Sequence, residues 1–143
     1  MLNKAIEIAN RVHTGRVDKG GAPYILHPLR IMLSASNDFE RICAILHDVV
    51  EDSNTTFDDL LDEGISKGVI NVLDCLTRRS EESYDKYIDR VIKNKTACRV
   101  KLADLRDNMN LSRIENPTTE DLIRIKRYGK AKKKISEALM KGF

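Results

Sequence analysis

Apolar residues recur three and four positions apart along nearly the whole chain, the spacing of amphipathic helices. Leu2 to His13 predicts a first helix, with Ala5, Ile6, Ala9 and Val12 on one face. A second opens at Tyr24-Ile-Leu-His27-Pro28 and runs through Leu29, Met32 and Leu33 to about Ala35. Pro28 suits its first turn, where a missing N–H costs nothing. Asp38 is placed to cap a third helix, Phe39 to Val50. Thr55-Thr56-Phe57-Asp58-Asp59 has the form of a capping box opening a short helix, and Gly64 has the usual place after its end. Ile65, Val69, Val72, Leu73 and Leu76 predict one core-facing helix, and Tyr84, Tyr87, Ile88 and Val91 another. Thr96 to about Leu111 carries Ala97, Val100, Ala103 and Asp107 near one face. Asn116-Pro-Thr-Thr-Glu-Asp starts a last helix through Leu122, Ile125, Tyr128, Ile135 and Leu139. No stretch reads as a strand, a repeat or a linker. The prediction is an all-α, single-domain helical bundle over residues 1–143.

Composition narrows the class. A length of 143 residues fits one domain with a real core, and 33% charged residues imply a charged surface around it. A net charge of +3 does not argue for nucleic acid. The basic stretch Lys130 to Lys134 reads as a solvated face. No apolar run is long enough to span a bilayer and no signal peptide is visible, so neither nucleic acid nor membrane is an expected partner. Cys43, Cys75 and Cys98 lie in apolar helical patterns without CxxC spacing, which predicts reduced, buried thiols in a cytoplasmic protein. Oligomeric state is not legible.

One stretch breaks the helical regularity: Ala44-Ile-Leu-His47-Asp48-Val-Val-Glu51-Asp52. On a continuous helix Glu51 lies over His47 and Asp48, and Asp52 lies over Asp48. Carboxylates crowding the negative pole of a helix destabilise it unless a cation is near. A solvated acidic helix end is the bland alternative. His47 counts against it, because it follows Ile42, Cys43, Ile45 and Leu46 and so borders a buried face.

Other polar residues join this stretch. His27 sits at a helix start, where it can point into a cleft. Asp104 and Asn108 are four apart and share a face bordering the buried stripe. A carboxylate there needs a partner, either an ion pair with Lys101, Arg106 or Arg113, or a metal. The Gly-rich loop from His13 to Tyr24 lacks the GxxxxGK[ST] spacing of a phosphate loop. Its Arg16 and Lys19 are either solvated loop charges or an anion site. Two imidazoles and two carboxylates, His27, His47, Asp48 and Asp104, make a mixed nitrogen/oxygen set. Such a set suits an octahedral divalent ion, Mn²⁺ before Zn²⁺, with other divalent metals also accommodated.

The motifs His13-x-Gly, Gly21-Ala-Pro-Tyr-Ile-Leu-His27-Pro, Leu46-His-Asp-Val-Val-Glu-Asp52, Thr55-Thr and Val100-Lys-Leu-Ala-Asp104 with Asn108 span most of the chain. In that order they resemble the HD-domain metal phosphohydrolases, above all the (p)ppGpp hydrolase domain of the RelA/SpoT type and its small stand-alone relatives. The resemblance implies an all-α fold with one Mn²⁺ on His27, His47, Asp48 and Asp104. It implies that Glu51 and Asp52 position and activate the attacking water, and that Asn108 meets the nucleotide sugar or phosphate. The implied substrate is a small phosphorylated nucleotide, (p)ppGpp, losing pyrophosphate from its 3′-diphosphate. Arg16 and Lys19 are then candidates for neutralising phosphate charge. One position departs: relatives of this type carry Gly-Gln-x-Arg-Lys in the first loop, and here Arg16 and Asp18 replace the Gln and the Arg. An acidic Asp18 near a 3′-diphosphate predicts poor handling of ppGpp. Two alternatives therefore stand, a hydrolase of another phosphorylated nucleotide and a non-catalytic nucleotide-binding module. Glu51-Asp52 favours catalysis, because a mere binder has no need of a water-activating pair.

Overall fold

The computed structural model describes residues 1–110 and 114–143. Its elements in order are α1 (Leu2–His13), α2 (Leu26–Ser34), α3 (Asp38–Leu46), α4 (Val49–Asp52), α5 (Phe57–Asp62), α6 (Lys67–Leu76), α7 (Tyr84–Val91), α8 (Lys95–Asn108) and α9 (Thr119–Lys141). Among the described residues the fold is all-helical, with a single isolated bridge between Val17 and Pro23. No described helix is long and apolar enough to cross a membrane.

α3 is the axis of the molecule. Every residue from Ile42 to Leu46 is buried, so the helix is apolar nearly all round rather than on one stripe. It packs against α1, α2, α6 and α8. α9 closes the far side over α7 and α8. The buried apolar residues of all these helices form one continuous cluster. The predicted faces of α6 and α7 are correct: Val69, Val72, Leu73, Leu76, Tyr87, Ile88 and Val91 are buried.

Three details differ from the sequence reading. The buried stripe of α1 is Ala5, Ile8, Ala9 and His13, with Ile6 and Val12 half-covered at its flanks. Leu33 and Leu122 are exposed, so the apolar faces of α2 and α9 are narrower than their sequences imply. The third cap is Asn37, whose side chain accepts from the Glu40 N–H, and not Asp38. Thr56 and Asp59 make the expected capping box, as do Thr118 and Asp121 at α9. The end of the Thr96–Leu111 helix was placed at a residue outside the described ones; α8 runs to Asn108. The three thiols are unbridged, with Cys43 and Cys98 buried and Cys75 half-buried.

Candidate active site

The expected helix through His47 is broken there. The imidazole Nδ1–H of His47 donates to the Ala44 carbonyl at 2.8 Å, and α3 ends at Leu46. Asp48 then takes a bridge conformation (φ −119°, ψ 7°) before α4 begins. Glu51 and Asp52 therefore lie in the first turn of a new helix. α4 is a single turn of four residues, so Glu51 and Asp52 also stand at its C-terminal end, and the break shortens the helix without removing its negative pole. The break also turns His47 toward His27 on α2 and Asp104 on α8, and Asp48 toward His13 and Tyr24.

His27, His47 and Asp104 converge there. One ligand atom from each lies within 4.8 Å of the others, and all three residues are buried. His27 Nε2 is 2.8 Å from Asp104 Oδ1, and His47 Nε2 is 3.3 Å from the same oxygen. The other atoms of this set are already committed. His47 Nδ1 is held by Ala44, His27 Nδ1 faces Asp107 Oδ2 at 2.5 Å, and Asp104 Oδ2 accepts from Lys101 at 2.8 Å. That leaves two Nε2 atoms and a carboxylate oxygen pointing at one another, the donor chemistry of an imidazole-carboxylate metal site.

Asp48 borders this set without joining it as closely. Its Oδ2 is 4.0 Å from His47 Nε2 and accepts from the Tyr24 hydroxyl. Its Oδ1 faces His13 Nε2 at 3.3 Å, and neither of those two buried atoms has a hydrogen-bond partner among the described residues. An under-satisfied carboxylate beside two imidazole nitrogens that share one carboxylate oxygen is what a cation would complete.

The charges follow from this crowding. Burial pushes the Asp104 carboxyl up, but Lys101 and the two imidazoles outweigh it and hold Asp104 well below the usual carboxylate range. Burial likewise opposes ionisation of Asp48, and His47, His13 and Tyr24 overcome it. Burial lowers His47, yet Asp48 and Asp104 raise it to about 9. Tyr24 is pushed up by burial and by Asp48. Glu51 is raised by partial desolvation, which outweighs Lys101, with Asp52 and Asp48 adding to it. Asp52 is raised by desolvation and by Asp48, against Arg16.

The first loop and α9 wall a cleft of about 280 Å³ beside these residues. The cleft is lined by Arg16, Lys19, Tyr24, Asn108, Arg124 and Tyr128, among others. Arg16 lies over the Tyr24 ring at 4.2 Å, donates to His13 Nδ1 at 2.8 Å and reaches Asp52 at 3.4 Å. Lys19 and Arg124 both contact Asp121, at 2.9 and 2.6 Å. The Asn108 amide donates to Asp104 Oδ1 at 3.1 Å, so this residue links the cleft to the histidine cluster. Asp18 also lines the cleft, but its carboxylate is engaged: Oδ1 accepts from the Gly20 and Ala22 N–H groups at 2.8 and 3.0 Å. The acidic residue that broke the family pattern folds its own loop, with Gly21 at φ +83° completing the turn.

All of the residues singled out in the sequence thus lie at or beside one site. Asp104 combines two readings that were alternatives, since Lys101 pairs with one oxygen while the imidazoles face the other. Arg106 does not pair with it, and Arg113 lies outside the described residues. Four contributors were given no role in the site by the sequence. His13 continues the Ala5–Ala9 stripe of α1 one turn further. Tyr24 precedes His27 by three residues, and Asp107 follows Asp104 by three. Arg30 follows His27 by three, and its fork holds Asp107 at 2.7 and 2.9 Å.

No family model matches the chain. Individual relatives do. A guanosine-3′,5′-bis(diphosphate) 3′-pyrophosphohydrolase of Aquifex aeolicus is 32% identical over 120 residues, covering 76% of this chain and 17% of its own length. The bifunctional (p)ppGpp synthase/hydrolase SpoT of Escherichia coli is 32% identical over 127 residues, with the same coverages of 76% and 17%. Over 76% of its length the chain is similar to these (p)ppGpp hydrolases, and it spans less than a fifth of their own length. A solved structure of a metazoan ortholog of SpoT, described as hydrolysing ppGpp, matches its fold with a TM-score of 0.78 at 24% identity. That likeness covers 96% of this chain and 84% of the other.

Proposed function

We propose that residues 1–143 form one HD domain that acts in the cytoplasm as a metal-dependent phosphohydrolase, releasing pyrophosphate from the 3′ side of (p)ppGpp. The observation that carries this reading is the convergence of His27, His47 and Asp104 within 4.8 Å, their other atoms already bound, beside a cleft with three cationic side chains. The names of the relatives supply the substrate. His27 Nε2, His47 Nε2 and Asp104 Oδ1, with Asp48, are the residues to hold the ion, and Mn²⁺ suits their nitrogen/oxygen mixture. When bound, such an ion polarises a phosphoryl oxygen and lowers the pKa of water.

The chain's own residues do the rest. Glu51, whose carboxyl is pushed up by partial desolvation, is the group to take the proton from water. Asp52, steadied by Arg16, orients the same water. Arg16, Lys19 and Arg124 face the phosphates, and the Asn108 amide faces the sugar or phosphate next to Asp104. Tyr24 and Tyr128 offer aromatic walls for a base.

The position of Asp18 on the cleft favours a second reading, a nucleotide without a 3′-diphosphate. One assay separates them: release of phosphate or pyrophosphate from ppGpp, pppGpp, NADPH and simple nucleotides, with Mn²⁺, Mg²⁺ or Zn²⁺ and with chelator. The expected result is pyrophosphate from ppGpp, abolished by chelator and by His47→Ala. Turnover confined to another nucleotide selects the second reading. Chelator-resistant turnover, or full activity in His47→Ala, overturns the metal site.

A further inference from the structure

The two histidines of the proposed metal site are oriented by different means. His47 is locked by a main-chain acceptor, the Ala44 carbonyl, at 2.8 Å. His27 is not. Its Nδ1 faces the side chain of Asp107 on α8 at 2.5 Å. Asp107 is in turn held by Arg30, whose Nε and Nη2 donate to Oδ1 and Oδ2 at 2.7 and 2.9 Å. Arg30 and His27 lie three apart on α2, so both reach across the α2–α8 interface to one carboxylate. The Asp107 side chain is 12% exposed and that of Arg30 35%, so the relay is mostly shielded from water.

Resting on the metal reading above, we propose that Asp107, clamped by Arg30, is the positioning residue that fixes the His27 imidazole for metal binding. The chemistry is directional. A carboxylate only accepts, so Nδ1 must carry a proton to meet Asp107, and the lone pair offered to a cation is then on Nε2. Nε2 is the atom turned toward Asp104 and His47. The planar fork of Arg30 fixes the carboxylate in plane and keeps it ionised, which a single neutral donor would not do. The ring is thereby held against rotation, and its basicity is raised by a charged acceptor.

The relay can be perturbed without touching the nucleotide cleft. Arg30 and Asp107 line a separate opening between α2 and α8, which shares only Asn110 with that cleft. Zn²⁺ serves as a diamagnetic probe, with affinity measured by calorimetric titration of the purified protein. Asp107→Ala is expected to bind about 10–100-fold more weakly than wild type. Asp107→Asn, which keeps an acceptor for Nδ1–H, should recover part of that loss. Arg30→Met, which leaves Asp107 in place without the Arg30 fork, should lose a few-fold. The low-field Nδ1–H proton of His27 in the Zn²⁺-bound protein should be present in wild type and absent in Asp107→Ala. Wild-type affinity in Asp107→Ala and Arg30→Met, or an unchanged Nδ1–H signal, overturns the relay while leaving the metal site standing. Should Asp107→Ala fail to fold, Arg30→Met and Asp107→Asn decide the matter by the same two readouts. A wild-type protein that binds no divalent ion overturns the metal reading itself, and the relay's purpose with it.

Discussion

The α3–α8 interface holds two polar clusters, one at each end, that differ in kind. At the N-terminal end of α3, Glu40 accepts from Arg99 at 2.5 Å and from the Ser36 N–H at 3.0 Å, and Arg99 also reaches the Ser36 hydroxyl at 2.8 Å. One anion meets one cation, and each carboxylate oxygen has a donor. At the C-terminal end, carboxylates outnumber permanent cations, ligand atoms point at one another, and His13 Nε2 and Asp48 Oδ1 lack hydrogen-bond partners among the described residues. The first arrangement is complete as it stands. The second is arranged around something to be bound. Charge balance and the exposure of Arg99 separate the two, and so does the direction of the lone pairs.

The sharpest way to break this comparison is to remove charge from each end in turn. Glu51→Gln is expected to lower turnover by about 10²–10⁴-fold while metal content and melting temperature stay near wild type. Single-turnover kinetics with metal analysis on the same sample checks it, and activity within a few-fold of wild type would reduce Glu51 to a surface carboxylate. Glu40→Ala should do the reverse. Its expected cost is about 1–3 kcal/mol of stability, read by urea denaturation, with turnover per folded molecule unchanged. The cost stays below that of a fully buried broken pair because the Arg99 side chain is 43% exposed and can be rehydrated. A Glu40→Ala protein that folds as stably as wild type but loses activity would invert the assignment of the two ends.

The smallest effect sharpens the cleft rather than the interface. Asp18→Asn keeps the acceptor that closes the loop and removes one negative charge. KM for ppGpp should fall about two- to five-fold at low salt, an advantage that fades as salt rises. Asp18→Arg is the poorer test, since it deletes the contacts to Gly20 and Ala22 as well. No change in KM at low salt would show that the engaged carboxylate does not reach the substrate.

Helix periodicity made most of the architecture legible, because nearly every core position lies on a helix and repeats every three or four residues. Leu33 and Leu122 misled because an apolar side chain on an exposed face looks the same in sequence as one on a buried face. The residue types of the site were legible too, since His47-Asp48 and Glu51-Asp52 are costly in that setting without a function. The break at His47 was not. It depends on a side chain taking the Ala44 carbonyl, and nothing in the helical propensity of Leu46 to Val49 announces it. His13, Arg30 and Asp107 were missed for a related reason. Each acts through a partner on another helix, so its role exists only after α1, α2 and α8 have packed.

The Lys19–Asp121 contact joins residues 102 positions apart, and it bears on how the chain is made. The three converging donors are all in place by residue 104, whereas the outer wall of the cleft begins with α9. A chain emerging from its amino end therefore presents every proposed ion ligand before the wall that confines a nucleotide exists. The ion site closes a loop of comparable length, His27 to Asp104, 77 positions apart, so loop entropy hardly distinguishes the two closures and the order of synthesis is what separates them.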